Sequence, residues 1–335
     1  MRLDYIDQLK GFAIFLVVMG HISLFDLNLG SEKSFLFRFC DSLEMPLFTF
    51  LSGLMFRKVA DLGMMWQKFG KQCRKLLLPF LVVGLSFSYA IGSGGAKFFF
   101  SNSKLGYWYL FFLVQCYFLT YVFEIINNAV LKNRRKIFAE LGWGLIWTVV
   151  FLCIDHLNYI MDKFDLENLS KLSFLSIKIR DLLGIPNLFF YYIFFIIGYV
   201  IRKYEKFEVI MKKQKLCKFL GLVYIILFVV SYKYSLFSKF HIPALFGIFY
   251  ITYYFYNSRN KEDVIKARFL VWGKRSLQIY IFHYFMIWWS EMPSLGIFFA
   301  NHRADFLQLV FEMVLATIIC QICIYVDKLL KIGKC

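Results

Sequence analysis

The feature that most constrains this chain is a succession of apolar runs, each about as long as the hydrocarbon core of a bilayer is thick. A spanning helix needs about 20 mostly apolar residues. Ten segments approach that requirement: 7–25, 37–56, 75–92, 107–130, 137–155, 187–202, 216–232, 240–256, 269–291 and 304–327. The least typical are the second, which carries Asp41 and Glu44, and the sixth, which is short. Only helices and closed barrels satisfy every backbone polar group in lipid. These runs are too long and too evenly apolar for the alternation of barrel strands. The expected fold class is therefore all-α, a polytopic integral membrane protein of about ten transmembrane helices. Composition agrees, because 60% of the 335 residues are hydrophobic, against about 45–50% in soluble domains. A single soluble core stops growing near ~250–300 residues, so the excess faces something other than water. The 42 phenylalanines and 21 tyrosines suit helices packed in lipid with aromatic belts at the interfaces.

Charge gives an orientation. The formal net charge is +17, and in membrane proteins Lys and Arg collect in cytoplasmic loops. With the N-terminus inside, the inner stretches (2–10, 57–75, 132–136, 202–218, 259–275 and 328–334) hold 28 of the 39 Lys and Arg. The asymmetry predicts both termini inside, and a basic cytoplasmic face that suits an anionic soluble ligand rather than nucleic acid. The first apolar run carries Asp7 and Lys10 and no small-x-small site follows it, so it reads as a span and not a cleaved signal. Of the eight Cys, most sit in apolar stretches. Cys320 and Cys323 form a C-x-x-C on a spanning segment with no second pair or nearby His, which reads as packing, not metal binding. The longest polar insert, 156–186 with Asp155, His156, Asp162, Asp165, Glu167, Arg180 and Asp181, is an outer loop. It either shapes a ligand site or links two helices.

Ionisable residues inside a membrane are costly and are functional candidates by default. The first span has Asp7, Lys10 and His21. Eleven residues separate Lys10 from His21, roughly 16 Å of rise, and about 20° around the helix, so one stripe carries an ion pair near the cytoplasm and an imidazole in the outer half. The second span returns through FCDSLEMPLFTFLSGLMF, with Glu44 at the depth of His21. A short connection makes these helices antiparallel neighbours. Glu44 is thus the first choice, and Asp41 the alternative, for a carboxylate that orients His21 as a base. His283, in SLQIYIFHYF, falls in the outer half of the ninth span, either as a second site residue or as a hydrogen-bonded core histidine. Lys71, Arg74 and Lys75 stand at the cytoplasmic start of the third span. There they are either phosphate-binding cations or ordinary positive-inside anchors.

Six segments in order resemble the acyltransferase-3 family of integral membrane O-acyltransferases, over nearly the whole chain. RLDYIDQLKGFAIFLVVMGH (2–21) is similar to the first-helix signature of Asp, a basic residue, Gly, an apolar run and His. EMPLFTFLSGLMF (44–56) resembles the second-helix motif ending in Ser-Gly, and KQCRKLLLPF (71–80) the basic pair with its following Pro. GYWYLFFL (106–113), YYIFFIIGYVI (191–201) and WGKRSLQIYIFHYF (272–285) resemble the Trp-aromatic-Leu, Phe/Gly-Tyr and Gly…Ser-Leu-x-x-Tyr…His elements. The family usually has Arg where Lys10 and Lys71 stand, so the charge is kept without the bidentate fork. Members often carry a residue other than Glu44 before the Met-Pro.

The resemblance implies one transmembrane acyltransferase domain over 1–335, in a bacterial inner membrane. Its donor would be acetyl-CoA or another acyl-CoA, and its acceptor a hydroxyl on a glycan or lipid-linked sugar, with no metal. His21 takes the essential first-helix histidine position, Lys10 the paired basic position, and Lys71 and Arg74 the donor-handling pair. The expected mechanism docks the donor's phosphates near Lys71, Arg74, Lys75 and Lys10 and uses His21 as general base or transient acyl carrier. Two other classes compete. A glycan-lipid transporter or flippase needs the same polar midplane residues, though no inverted repeat or matched pair of broken helices is visible. A structural subunit of an envelope assembly would need no His21.

Overall fold

The computed structural model describes residues 4–27, 35–130, 137–163, 180–234, 241–259, 263–289, 292–302 and 305–330. No strand occurs among the described residues. In chain order the helices are α1 (Asp4–His21), followed by a π turn (Ile22–Asp26), α2 (Phe35–Leu54), α3 (Leu62–Ala90), α4 (Gly94–Phe100), a 3₁₀ turn (Lys104–Gly106), α5 (Trp108–Val130), α6 (Ile137–Lys163), α7 (Ile185–Lys203), α8 (Phe207–Met211), α9 (Gln214–Tyr234), α10 (Ile242–Asn257), α11 (Val264–Lys274), α12 (Ser276–Trp289), α13 (Pro293–His302) and α14 (Asp305–Leu330).

Each of the ten apolar segments coincides with helical structure. By length and composition six stretches among the described residues suffice to cross a membrane: Asp4–Phe25, Leu62–Ala90, Trp108–Ala129, Arg180–Lys203, Gln214–Tyr234 and Phe306–Leu329. Helix α2 carries Arg38, Asp41 and Glu44 within 20 residues, and α10 has only 16 residues. Helix α6 is 27 residues long, with an apolar stretch described over Ala139–Ile154. The ninth segment is broken at Arg275 (φ −121°, ψ 22°) into α11 and α12. The sixth segment, short in the sequence, is extended by a turn before Gly184, which caps α7 in the left-handed region at φ 63°. Most of the 156–186 insert, with Asp165 and Glu167, lies outside the described residues.

The chain divides into two compact units, one of residues 1–51 and 206–335, the other of 52–205. In the first, the α1 span is 67% buried, whereas the α9 and α14 spans are 28% and 33% buried. Helix α1 is therefore the interior helix and the other two are rims. Leu216, Phe219, Leu222, Ile225, Ile226 and Val229 give α9 an exposed apolar face, the arrangement expected where lipid is the solvent. Helix α1 lies against α11 at backbone contact. A Cβ on Gly11 would overlap the carbonyl of Phe269, and one on Gly273 the carbonyl of Asp7. Phe15 stacks on Trp272 alongside (5.5 Å, 10°). Ion pairs tie the same end: Lys10–Asp7 at 3.7 Å, Lys274–Asp4 at 3.8 Å, and Arg275 with Asp327.

In the second unit one buried lysine joins three helices. Lys203 of α7 pairs with Glu124 of α5 at 2.8 Å and Glu140 of α6 at 3.0 Å. Tyr199 donates to Glu124, and Tyr204 donates to Glu140 at 2.9 Å. Removing one member of such a buried pair costs about 3–5 kcal/mol. Lys104, in the turn before α5, is also buried and donates to the carbonyls of Phe99 and Asp181. Burial lowers its pKa to about 8, with Asp181 opposing the shift.

Candidate active site

His21 is the last residue of α1, and the chain continues into the π turn, closed by the Leu27 amide donating to the Ile22 carbonyl at 3.1 Å. Single π turns inside helices are frequent at functional sites. Across from it, in α12, His283 has no exposed surface. His283 Nδ1 lies 3.2 Å from the Ile279 carbonyl and 2.8 Å from that of Tyr280. A carbonyl oxygen only accepts, so Nδ1 carries the hydrogen and Nε2 is a lone pair. That lone pair lies 3.1 Å from His21 Nδ1, which must therefore donate to it. His21 Nε2 is left as an acceptor, and the Tyr284 hydroxyl donates to it at 3.0 Å. Two backbone carbonyls thus set the proton positions of both imidazoles, the usual way that a histidine's second nitrogen is fixed.

Aromatic rings enclose His21. Phe25 of the π turn stacks on it (5.7 Å, 26°), His283 lies at 5.1 Å and 30°, and Tyr284 at 4.9 Å and 50°. The result is a part-buried imidazole among aromatic rings, with one nitrogen directed at a hydroxyl group. That is the geometry of a general base or a nitrogen nucleophile.

The other residues singled out in the sequence fall as follows. Glu44 packs against α1, its Oε2 facing Gly20, but it does not hydrogen-bond His21. Its Oε2 is buried without a hydrogen-bond partner. The orienting contact expected from Glu44 is made by His283 instead, because the His21 ring points toward α12 while α2 lies over the neighbouring Gly20. Asp41 lies one turn before Glu44 on α2, lining a small cavity of about 20 Å³ with Arg38, Ser42, Ser231, Tyr232 and His241. Lys10 keeps its ion pair with Asp7. Lys71, Arg74 and Lys75 lie on α3 in the other unit, Lys71 and the latter two exposed, and none forms an ion pair with a carboxylate among the described residues. No group of three His, Cys, Asp or Glu placed to hold a metal occurs among the described residues. Cys320 and Cys323 are buried free thiols.

Two features lie beyond the residues singled out in the sequence: Tyr284, adjacent to His283, and a trio centred on the buried Glu312. Ser23 donates to Glu312 Oε2 at 2.7 Å, and Gln308 donates to Glu312 Oε1 at 2.7 Å. The signal was present, since Glu312 is an acid inside an apolar span.

An acyltransferase-domain family model, Acyl_transf_3, matches residues 3–325. The chain belongs to the acyltransferase-3 family. The match covers both units and every residue of the His21 cluster. No curated protein and no solved structure matches the chain. As a member of the acyltransferase-3 family the protein is a membrane-embedded enzyme that transfers acyl groups other than aminoacyl groups.

Proposed function

We propose that the protein moves an acyl group, acetyl in the first instance, from acyl-CoA to a hydroxyl of a cell-surface polysaccharide or lipid-linked sugar. It does so as a unit of about ten membrane helices with both termini in the cytoplasm of a bacterial inner membrane. The observation that carries the reading is the 3.0 Å contact of His21 Nε2 with the Tyr284 hydroxyl, in which the nitrogen accepts once the His283 contacts assign the hydrogen to Nδ1. An acceptor hydroxyl that takes the phenol's place donates the same hydrogen bond. As its oxygen attacks the thioester carbonyl, His21 Nε2 takes the proton. The new C–O bond forms, the C–S bond breaks, and the proton passes from the imidazolium to the departing thiolate. The products are an ester and free coenzyme A, with no proton or electron left over. While His21 is charged, its Nδ1–H donates to His283 Nε2, a hydrogen bond that strengthens as charge develops.

Lys71, Arg74, Lys75 and Lys10 supply the cationic groups for the donor's phosphates. On α3 the exposure of Lys71, Arg74 and Lys75, with no ion pair to a carboxylate among the described residues, supports that role for these three. The charge asymmetry of the loops supports the orientation.

The test uses purified protein in lipid nanodiscs. Free thiol is measured after addition of acetyl-CoA, with and without a polysaccharide acceptor. Acceptor-dependent thiol release that His21→Ala abolishes is the expected result. Release that persists in folded His21→Ala would remove His21 from the chemistry.

A further inference from the structure

Glu312 has no exposed surface and sits in the span of α14. No Lys or Arg pairs with it among the described residues. A buried carboxylate without a cation is unfavourable by several kcal/mol. What it gains is two hydrogen bonds from neutral donors, Ser23 and Gln308, one to each oxygen.

Ser23 belongs to the π turn, two residues beyond His21. The same turn carries Phe25, which stacks on the His21 ring and meets Tyr284 edge-on (6.4 Å, 68°). The far end of the turn is held as well, because the Leu27 carbonyl lies where a Cβ on Gly296 of α13 would be. A π turn is rare and occurs mostly as a single turn, so the contacts that flank it bear on its shape. Here the flanking contacts are the Ser23–Glu312 hydrogen bond on one side and Gly296 on the other.

We infer that Glu312 is a positioning residue: through Ser23 it fixes the π turn, and through Phe25 of that turn it fixes the plane of the His21 imidazole. This rests on the reading of His21 as the base. Loosening the turn swings a ring whose lone pair must point at a hydroxyl. A misplacement of about 1 Å at a reacting group costs on the order of a hundredfold in rate. Glu312 is not among the groups assigned to the donor's phosphates, so donor KM should hold.

The mechanism makes the amide variant informative. In Glu312→Gln the side-chain oxygen still accepts from Ser23. Gln308 satisfies the new NH₂ by turning its own amide over, so both hydrogen bonds survive and only the charge is lost. Glu312→Ala removes both, and Ser23→Ala removes the one that reaches the turn.

The test has one readout independent of transfer. Full-length protein in nanodiscs is treated with diethyl pyrocarbonate, and modification of His21 is followed by peptide mass spectrometry. Wild type and Glu312→Gln should react slowly and alike, since Phe25 covers the ring and Tyr284 occupies Nε2. Glu312→Ala and Ser23→Ala should react several-fold faster at His21. In the transfer assay, the two alanine variants should lose kcat at unchanged donor KM, by on the order of a hundredfold for Glu312→Ala, and Glu312→Gln should restore it. Unchanged His21 labelling in folded Ser23→Ala would overturn the proposal. So would Glu312→Gln behaving like Glu312→Ala, which would make the charge and not the hydrogen bonds decisive. If wild type itself shows no transfer, the reading of function fails, while the labelling still decides the positioning role.

Discussion

Replacing His283 by alanine removes the imidazole acceptor for His21 Nδ1–H, now 3.1 Å away, and leaves the rest of the ring cluster and the His21 hydrogen bond to the Val17 backbone in place. In the ground state that hydrogen bond is neutral. When His21 takes a proton it becomes a bond from a cation, and bonds to charged groups are worth about 1.5–3 kcal/mol. At about 1.4 kcal/mol per tenfold, kcat should fall about ten- to 150-fold. Donor KM should hold, because His283 touches no group assigned to the coenzyme. His283→Gln reaches about as far as the imidazole Nε2 and presents a carbonyl oxygen there, so it should recover most of the loss. The assay is steady-state thiol release from acetyl-CoA at saturating acceptor in nanodiscs. The double variant His21→Ala/His283→Ala should be no slower than His21→Ala, since groups acting as one unit are non-additive. A folded His283→Ala protein with wild-type kcat would refute the argument that this bond carries transition-state charge. So would multiplicative losses in the double variant.

Other expectations follow from particular contacts. Gly273→Ala forces a methyl group into the Asp7 carbonyl, whereas Gly142 has nothing within 4 Å of a Cβ. Overpacking costs about 1–3 kcal/mol, so Gly273→Ala should lower the Tm in detergent and Gly142→Ala should not. Lys104, with a pKa of about 8, loses its proton in the folded state while the unfolded chain keeps one up to the ordinary lysine value near 10.5. The unfolded state then binds more protons, so stability should rise with pH between about 8 and 10.5. A Lys104→Met protein should lack that rise in thermal melts across the window. Charge reversal at Lys71 and Arg74 should raise donor KM with little change in kcat, because the pair is exposed on α3 and remote in sequence from the His21 cluster. An unchanged KM would return them to the role of interface anchors. Tyr284→Phe frees His21 Nε2 from a competing hydroxyl. A typical hydrogen bond is worth about 1 kcal/mol, so acceptor KM should fall about fivefold, and a rise would show that the phenol binds the acceptor.

The helices were legible in the sequence because their cause is local: a run of apolar side chains must be helical in lipid. Their ends and breaks were less so. The break at Arg275 within 269–291 depends on α11 lying in backbone contact with α1 through Gly11 and Gly273, a tertiary fact that leaves only the tetrad WGKR as a local trace. His21 and His283 were both readable as costly residues in apolar runs, but their pairing spans 262 positions and follows from how α1 meets α12. Glu44 shows how depth alone misleads. It lies at the right level, yet one residue around α1, against Gly20 instead of His21. On a helix one residue is about 100° of rotation, enough to turn an expected partner into a neighbour. The Ser23–Glu312 contact was equally hidden, since a π turn has no reliable sequence signature and its partner lies 289 residues away.

The central claim is that His21 passes a proton between an acceptor hydroxyl and coenzyme A. Its most direct test is to supply radiolabelled acetyl-CoA to inner-membrane vesicles that hold either wild type or His21→Ala, together with total envelope glycans. The account predicts label on a glycan with wild type and none with His21→Ala at equal amounts of folded protein. Label transferred equally by both proteins would contradict it, and no label from acetyl-CoA or any longer acyl-CoA donor would remove the proposed donor and acceptor classes together.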